Sequence, residues 1–165
     1  MALDTNPFVV LSYVSGPALL TNATSLILLS TTNRFARAID RSRMLTALVR
    51  QPGAGKEQAH EADELRIVGR RIRYIGLSIS SFYLAAAMFA LATVTSIVGA
   101  VLAQVANGVV LDLIIASAVV LGLVGFAAFV TGAFSLVIET RLTMRSLARE
   151  SAAAIAAMER ALGRE

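Results

Sequence analysis

Three runs of this chain are apolar and hold no Asp, Glu, Lys or Arg: Thr5–Asn33, Tyr74–Leu111 and Leu113–Ile138, of 29, 38 and 26 residues. A helix needs about 20 mostly apolar residues to cross the hydrocarbon core of a bilayer. Each run is therefore long enough to cross once, and the pattern predicts spans over 8–32, 74–105 and 109–138. Asn107-Gly108 offers a left-handed residue at which the second helix can stop. The second and third spans then form a tight antiparallel hairpin.

The polar stretches between and after the runs keep a helical period. Phe35, Ile39, Leu45, Leu48 and Val49 make one apolar stripe, and Leu65, Val68 and Ile72 another. Gln51-Pro52-Gly53-Ala54-Gly55 breaks the chain between them. Residues 33–73 thus read as a helical hairpin that extends the first two spans. Folding at the break pairs positions whose numbers sum to about 107. Arg34 then lies level with Arg73, Arg37 with Arg70 and Arg41 with Arg66. Further out, Arg43 meets Glu64 and Arg50 meets Glu57. Residues 139–165 read as a last helix, in which Met144, Ala148, Ser151, Ile155, Met158 and Leu162 trace a short heptad seam. The predicted fold is all-α and integral to a membrane: one domain over 1–165, with three transmembrane helices, a cytoplasmic helical hairpin and a C-terminal cytoplasmic helix.

Charge orients this arrangement. All fifteen Lys and Arg fall within Arg34–Arg73 or Arg141–Arg164. The positive-inside rule places both segments in the cytoplasm, with the N-terminus and the Asn107-Gly108 turn outside. The net charge of +4 accompanies a 56% hydrophobic fraction and a mean hydropathy of +0.71. Basic residues that flank apolar spans suit anionic lipid headgroups rather than nucleic acid. The chain has no cysteine, which excludes disulfides and thiolate chemistry. Met1-Ala2-Leu3-Asp4 lacks the basic start of a cleaved signal peptide.

The catalytic inventory is thin. His60 shares a helical face with Glu57, Glu61 and Glu64, but one imidazole among solvated carboxylates is a poor metal site. Gly53-Ala54-Gly55-Lys56 is half a phosphate-binding loop. Arg50 stands where the full pattern needs Gly, and Glu57 where it needs Ser or Thr. Asn22-Ala23-Thr24 matches a glycosylation sequon but falls inside a span. No enzyme activity and no cofactor are expected.

Other positions bear on packing and permeation. Ser15, Asn22, Ser25 and Asn33 give the first span a polar face, which should look into a bundle or a water-filled path. Ser78, Ala85, Ala92 and Gly99 form a small-residue column at seven-residue spacing, and Ala118, Gly125 and Gly132 form another. Such columns let helix backbones approach in lipid, within the hairpin or between subunits. Arg34, Arg37, Arg41, Arg66, Arg70 and Arg73 form basic tiers facing lipid phosphate or a hydrated vestibule. Glu139 ends the third span at the depth of Arg34 and Arg73, where an ion pair would join the helices.

Leu28-Leu29-Ser30-Thr31-Thr32-Asn33-Arg34-Phe35, with Ile39-Asp40-Arg41-Ser42-Arg43 following, resembles a bacterial inner-membrane family, the domain of unknown function 2721. The likeness continues through Glu64-Leu65-Arg66, Arg70-Arg71, and Glu139 before Ser146-Leu147 and Glu150; Pro17 matches the family's early proline. The resemblance implies a small multi-span inner-membrane protein and no particular activity. The expected function is that of a non-enzymatic homo-oligomer, a scaffold or accessory subunit acting through its cytoplasmic helices, within a larger membrane complex or alone. The competing expectation is an ion or small-solute channel lined by the polar first helix.

Overall fold

The computed structural model describes residues 7–50, 55–103, 107–161 and 163; side-chain surroundings are described over 15–50, 62–103, 107–148 and at scattered later positions. The break at 51–54, the side chains of Glu57, His60 and Glu61, and Leu162 fall outside the described residues. Among the described residues there are three helices: α1 (Pro7–Val49), α2 (Gly55–Leu102) and α3 (Gly108–Ala161), of 43, 48 and 54 residues. At 1.5 Å per residue they are roughly 65, 72 and 81 Å long. Each is more than twice what crossing a bilayer requires, about 20 residues.

Two stretches, Ala62–Leu102 and Gly108–Ala148, are long and apolar enough to cross a membrane, with mean hydropathies of 2.1 and 2.7. Only 22% and 11% of their most apolar windows are buried. The core helix of a water-soluble protein would be mostly covered, whereas these faces suit lipid. α1 is not among these stretches, since Pro17, Asn22 and its many Ser and Thr dilute its leucines.

Local chemistry fixes the helix ends. Asn107 is the N-cap of α3: its side-chain oxygen accepts from the Val110 N–H at 3.2 Å, and its carbonyl accepts from the Leu111 N–H at 3.2 Å. Gly108 is the first residue of α3 and has no positive φ. The expectation of a left-handed stop at Asn107-Gly108 is thus corrected. The dipeptide starts a helix, because the asparagine side chain satisfies an otherwise unpaired amide there. The left-handed glycine among the described residues is Gly163 (φ 62°), just past the end of α3.

The chain divides into two compact units, residues 1–33 with 78–133, and residues 34–77 with 134–165. In the first unit α2 and α3 pack antiparallel, rings into notches. A Cβ on Gly125 would lie 2.8 Å from the Phe89 ring, and one on Gly132 would lie 2.9 Å from the Phe82 ring. Both rings are fully buried, and Phe82 meets Phe129 edge-on at 5.6 Å between centroids. Ser78, Ala85, Ala92 and Gly99 are all buried as well. Gly99 lies under Ile114. Both small-residue columns therefore have partners within the chain, apart from the half-buried Ala118 at the end of one. Among the described residues of α1 in this unit, Thr24 and Thr31 are buried, and their hydroxyls donate to the carbonyls of Leu20 and Ile27. Such back-bonds let a hydroxyl enter an apolar contact without an orphaned proton. Among the described residues no buried side-chain polar atom lacks a partner.

In the second unit the core is Ala38 and Leu45 on α1 and Val68 and Ile75 on α2, with Ser135 and Glu139 from α3. Phe35 packs near Gly76. On all three helices, buried positions repeat at sevens or at alternating threes and fours, the period of left-handed helix packing.

Candidate functional site

The most unusual group is Glu139. It lies on α3 seven residues after Gly132, on the buried side, and its side chain is only 4% exposed. Carboxylates are almost never so buried unless paired. Arg71 of α2 supplies the partner: its Nε and Nη2 donate to one carboxylate oxygen of Glu139 at 3.2 and 3.1 Å. The Thr143 hydroxyl, one turn along α3, lies 3.0 Å from that same oxygen and 3.1 Å from the Glu139 carbonyl. The other carboxylate oxygen faces Nη1 of Arg34 on α1 at 3.8 Å. Side-chain exposure rises from 4% at Glu139 through 27% at Arg71 to 50% at Arg34. One buried carboxylate therefore ties α3 closely to α2 and more loosely to α1.

The basic tiers are arranged differently from the simple level-by-level expectation. Arg34 turns toward Glu139 rather than Arg73. Arg41 does not face Arg66: it donates through Nε at 3.1 Å, and through Nη2, to Glu64. Arg66 instead pairs with Asp63 on its own helix, with both side chains highly exposed. Glu64 thus meets Arg41 and not Arg43. The reason is facial: Arg34 and Arg41 are seven residues apart and share one side of α1, whereas Arg43 points elsewhere and is exposed. Level along an antiparallel pair does not bring two side chains together unless both face inward. Arg37, Arg70 and Arg73 are exposed, and Arg37 is engaged in the structure. Arg71, absent from the sequence-derived candidates, is the residue that holds Glu139.

The polar positions of α1 separate. Thr24 and Thr31 are the buried ones. Ser15 is half-buried and engaged, and Asn33 is exposed and engaged. Asn22 and Ser25 are exposed; the Ser25 hydroxyl donates to the Thr21 carbonyl at 2.9 Å. Of the acidic group around His60, Glu64 alone has a described side chain, and Arg41 occupies it. Among the described residues no three His, Asp or Glu gather as metal ligands. The described arrangement does what charge pairing and helix packing do: it fixes three helices at one level and leaves cations and a polar stripe outward.

No curated protein matches the chain, and no solved structure does. A family model described as "Protein of unknown function (DUF2721)" matches residues 14–149, a range that takes in Arg34, Arg71, Glu139 and Thr143. The chain belongs to the DUF2721 family.

Proposed function

We propose that this chain is a non-enzymatic, homo-oligomeric protein of the bacterial inner membrane, a scaffold or accessory subunit acting through its cytoplasmic helices. It crosses three times, with the N-terminus outside and the C-terminus inside. One observation carries the reading: the outward surface of the first unit is mostly apolar on α2 and α3, with Ser80, Ser117 and Thr131 among its few hydroxyls and Asp112 at the start of α3, and carries an amide beside hydroxyls on α1. Leu84, Leu91 and Val98 on α2, and Leu113, Val120 and Leu123 on α3, are all exposed. Water would penalise that surface at about 25 cal/mol per Å²; lipid would not. Asn22 in the same setting needs a hydrogen-bonding neighbour. The buried small columns give no argument for a second copy, since they are filled within the chain.

Mass in native lipid tests this. The expected result is a multiple of 17.4 kDa with anionic lipid retained; a 17.4 kDa monomer would sink the homo-oligomer. The exposed Arg37, Arg70 and Arg73 are the expected lipid contacts, each contributing about 1 kcal/mol near an anionic surface. Their joint replacement by Gln should shed that lipid.

Topology has its own test. Because the chain lacks cysteine, single cysteines at Asp4, Asn107 and Ala54 report cleanly. An impermeant thiol reagent added to intact cells should label the first two and not the third. Labelling at Ala54 alone would invert the orientation.

The exposure of Asn22 and Ser25 also suits a second reading, a channel whose axis these residues line. Reconstituted bilayers would then conduct, and Asn22→Leu would close them by dewetting. Silent bilayers containing intact oligomer would remove this reading.

A further inference from the structure

We infer that α1 carries the contact between copies: a parallel, dry seam of Ala18, Asn22, Ser25, Leu29 and Thr32, with Asn22 set against Asn22 of a second copy. The inference rests on the homo-oligomeric membrane reading and names its interface. All five residues are exposed, and they fall at spacings of four, three, four and three. That is the period of a left-handed helix pair. At about 100° per residue the seam lies roughly a third of a turn from Thr24 and Thr31, the buried line of α1. α1 thus has one face committed to its own chain and a second, equally regular face that nothing among the described residues covers.

The occupant follows from hydrogen-bond accounting. The Ser25 and Thr32 hydroxyls already donate to the carbonyls of Thr21 and Leu28, each at 2.9 Å. They present small, satisfied surface. Among the described residues the Asn22 amide has no partner. An amide holds both donors and acceptors, so it is complementary to itself. Copies inserted the same way run α1 parallel and bring Asn22 level with Asn22. A single unsatisfied group on an otherwise satisfied seam fits one hydrogen-bonded contact between helices better than a continuous hydrated line. A lone asparagine at such a seam also fixes register and subunit number. The small columns cannot compete for this role, because Phe82, Phe89 and Ile114 fill the notches at Gly132, Gly125 and Gly99.

Single cysteines in the full-length protein, oxidised in native membranes, test the inference. Ser25→Cys and Thr32→Cys lie on the seam; Ala23→Cys and Ser30→Cys lie roughly a third of a turn from it, away from Thr24 and Thr31, and are exposed too. The expected result is disulfide dimer at Ser25 and Thr32 and little at Ala23 and Ser30. In the cysteine-free chain Asn22→Leu should weaken association about 3- to 18-fold, the range for one interhelical hydrogen bond in lipid, while Asn22→Gln retains most of it. Equal yields at all four cysteines would overturn the seam. So would yields confined to Ala23 and Ser30, or reaction of Ser25→Cys with a small hydrophilic thiol reagent in the assembled protein. An oligomer by mass without seam cross-links would sink this interface and leave the oligomer standing. A monomer by mass would sink the broader reading first.

Discussion

Gly125→Leu is expected to abolish native packing of α2 against α3, a loss of more than about 3 kcal/mol, whereas Gly122→Ala three residues earlier should be neutral or stabilising by up to about 1 kcal/mol. The contrast comes from what a side chain would meet. At Gly125 even a Cβ would come within 2.9 Å of two Phe89 ring atoms and 3.1 Å of the Met88 Cβ. The Phe89 ring is fully buried and cannot swing aside. At Gly122 nothing lies within 4 Å, so a methyl group only restricts the unfolded backbone. Gly132→Leu should behave like Gly125→Leu, because three Phe82 ring atoms lie 2.9–3.0 Å from its would-be Cβ. Gly99→Leu should be milder, since the opposing atom is a single Cγ2 methyl of the half-buried Ile114 rather than a fully buried ring. Reversible unfolding in mild detergent measures this series. Phe89→Ala combined with Gly125→Leu should recover part of the sum of the two separate losses, a coupling of about 0.5–3 kcal/mol. A Gly125→Leu protein as stable as its parent would show that the ring does not sit in that notch.

Removing one partner of the Glu139 pair should hurt more than removing both. Breaking a buried ion pair from one side costs about 3–5 kcal/mol, because an uncompensated charge stays behind. Arg71→Met strands Glu139, which is nearly sealed from solvent, and should fall at the upper end. Glu139→Leu strands Arg71, whose side chain is 27% exposed. Its guanidinium can reach water along its apolar stem, so the cost should be near about 3 kcal/mol. The double variant replaces both charges with apolar volume and should lie close to the parent or above it. Arg34→Ala should cost under about 1 kcal/mol, given its 3.8 Å separation and half-exposed side chain. The same detergent unfolding reads all four. If Arg71→Met and the double variant were equally destabilised, the pair would be acting through packing rather than charge.

Much of the architecture was legible in the chain itself. Uncharged runs with helical period, separated by polar segments, admit only long helices where no sheet edge could be satisfied. The sevenfold repeats of small residues marked places of close approach and left the partner open, within the hairpin or between subunits; in the structure Phe89, Phe82 and Ile114 lie against Gly125, Gly132 and Gly99. The same repeat continues into the charged segments. Counting seven back from Ser78 lands on Arg71 and then on Glu64, and counting seven on from Gly132 lands on Glu139. Glu64, Arg71 and Glu139, which carry the Arg41–Glu64 and Arg71–Glu139 contacts, therefore stand as continuations of the small columns.

What sequence could not decide was facing and occupancy. The period of α1 allows several polar stripes, and only packing against the other helices shows that Thr24 and Thr31 turn inward while Asn22 and Ser25 turn outward. Level along an antiparallel pair is a one-dimensional quantity. It placed Arg43 beside Glu64, but facing around the helix axis gave that carboxylate to Arg41. Asn107-Gly108 admits either a helix stop or a helix start. The choice fell to the start because the asparagine oxygen reaches the Val110 amide. Composition and period determine which segments become helices and how long they are, since those are local and additive. Which face is covered, and by what, depends on the joint packing of three helices, and that is settled only when all three are in place.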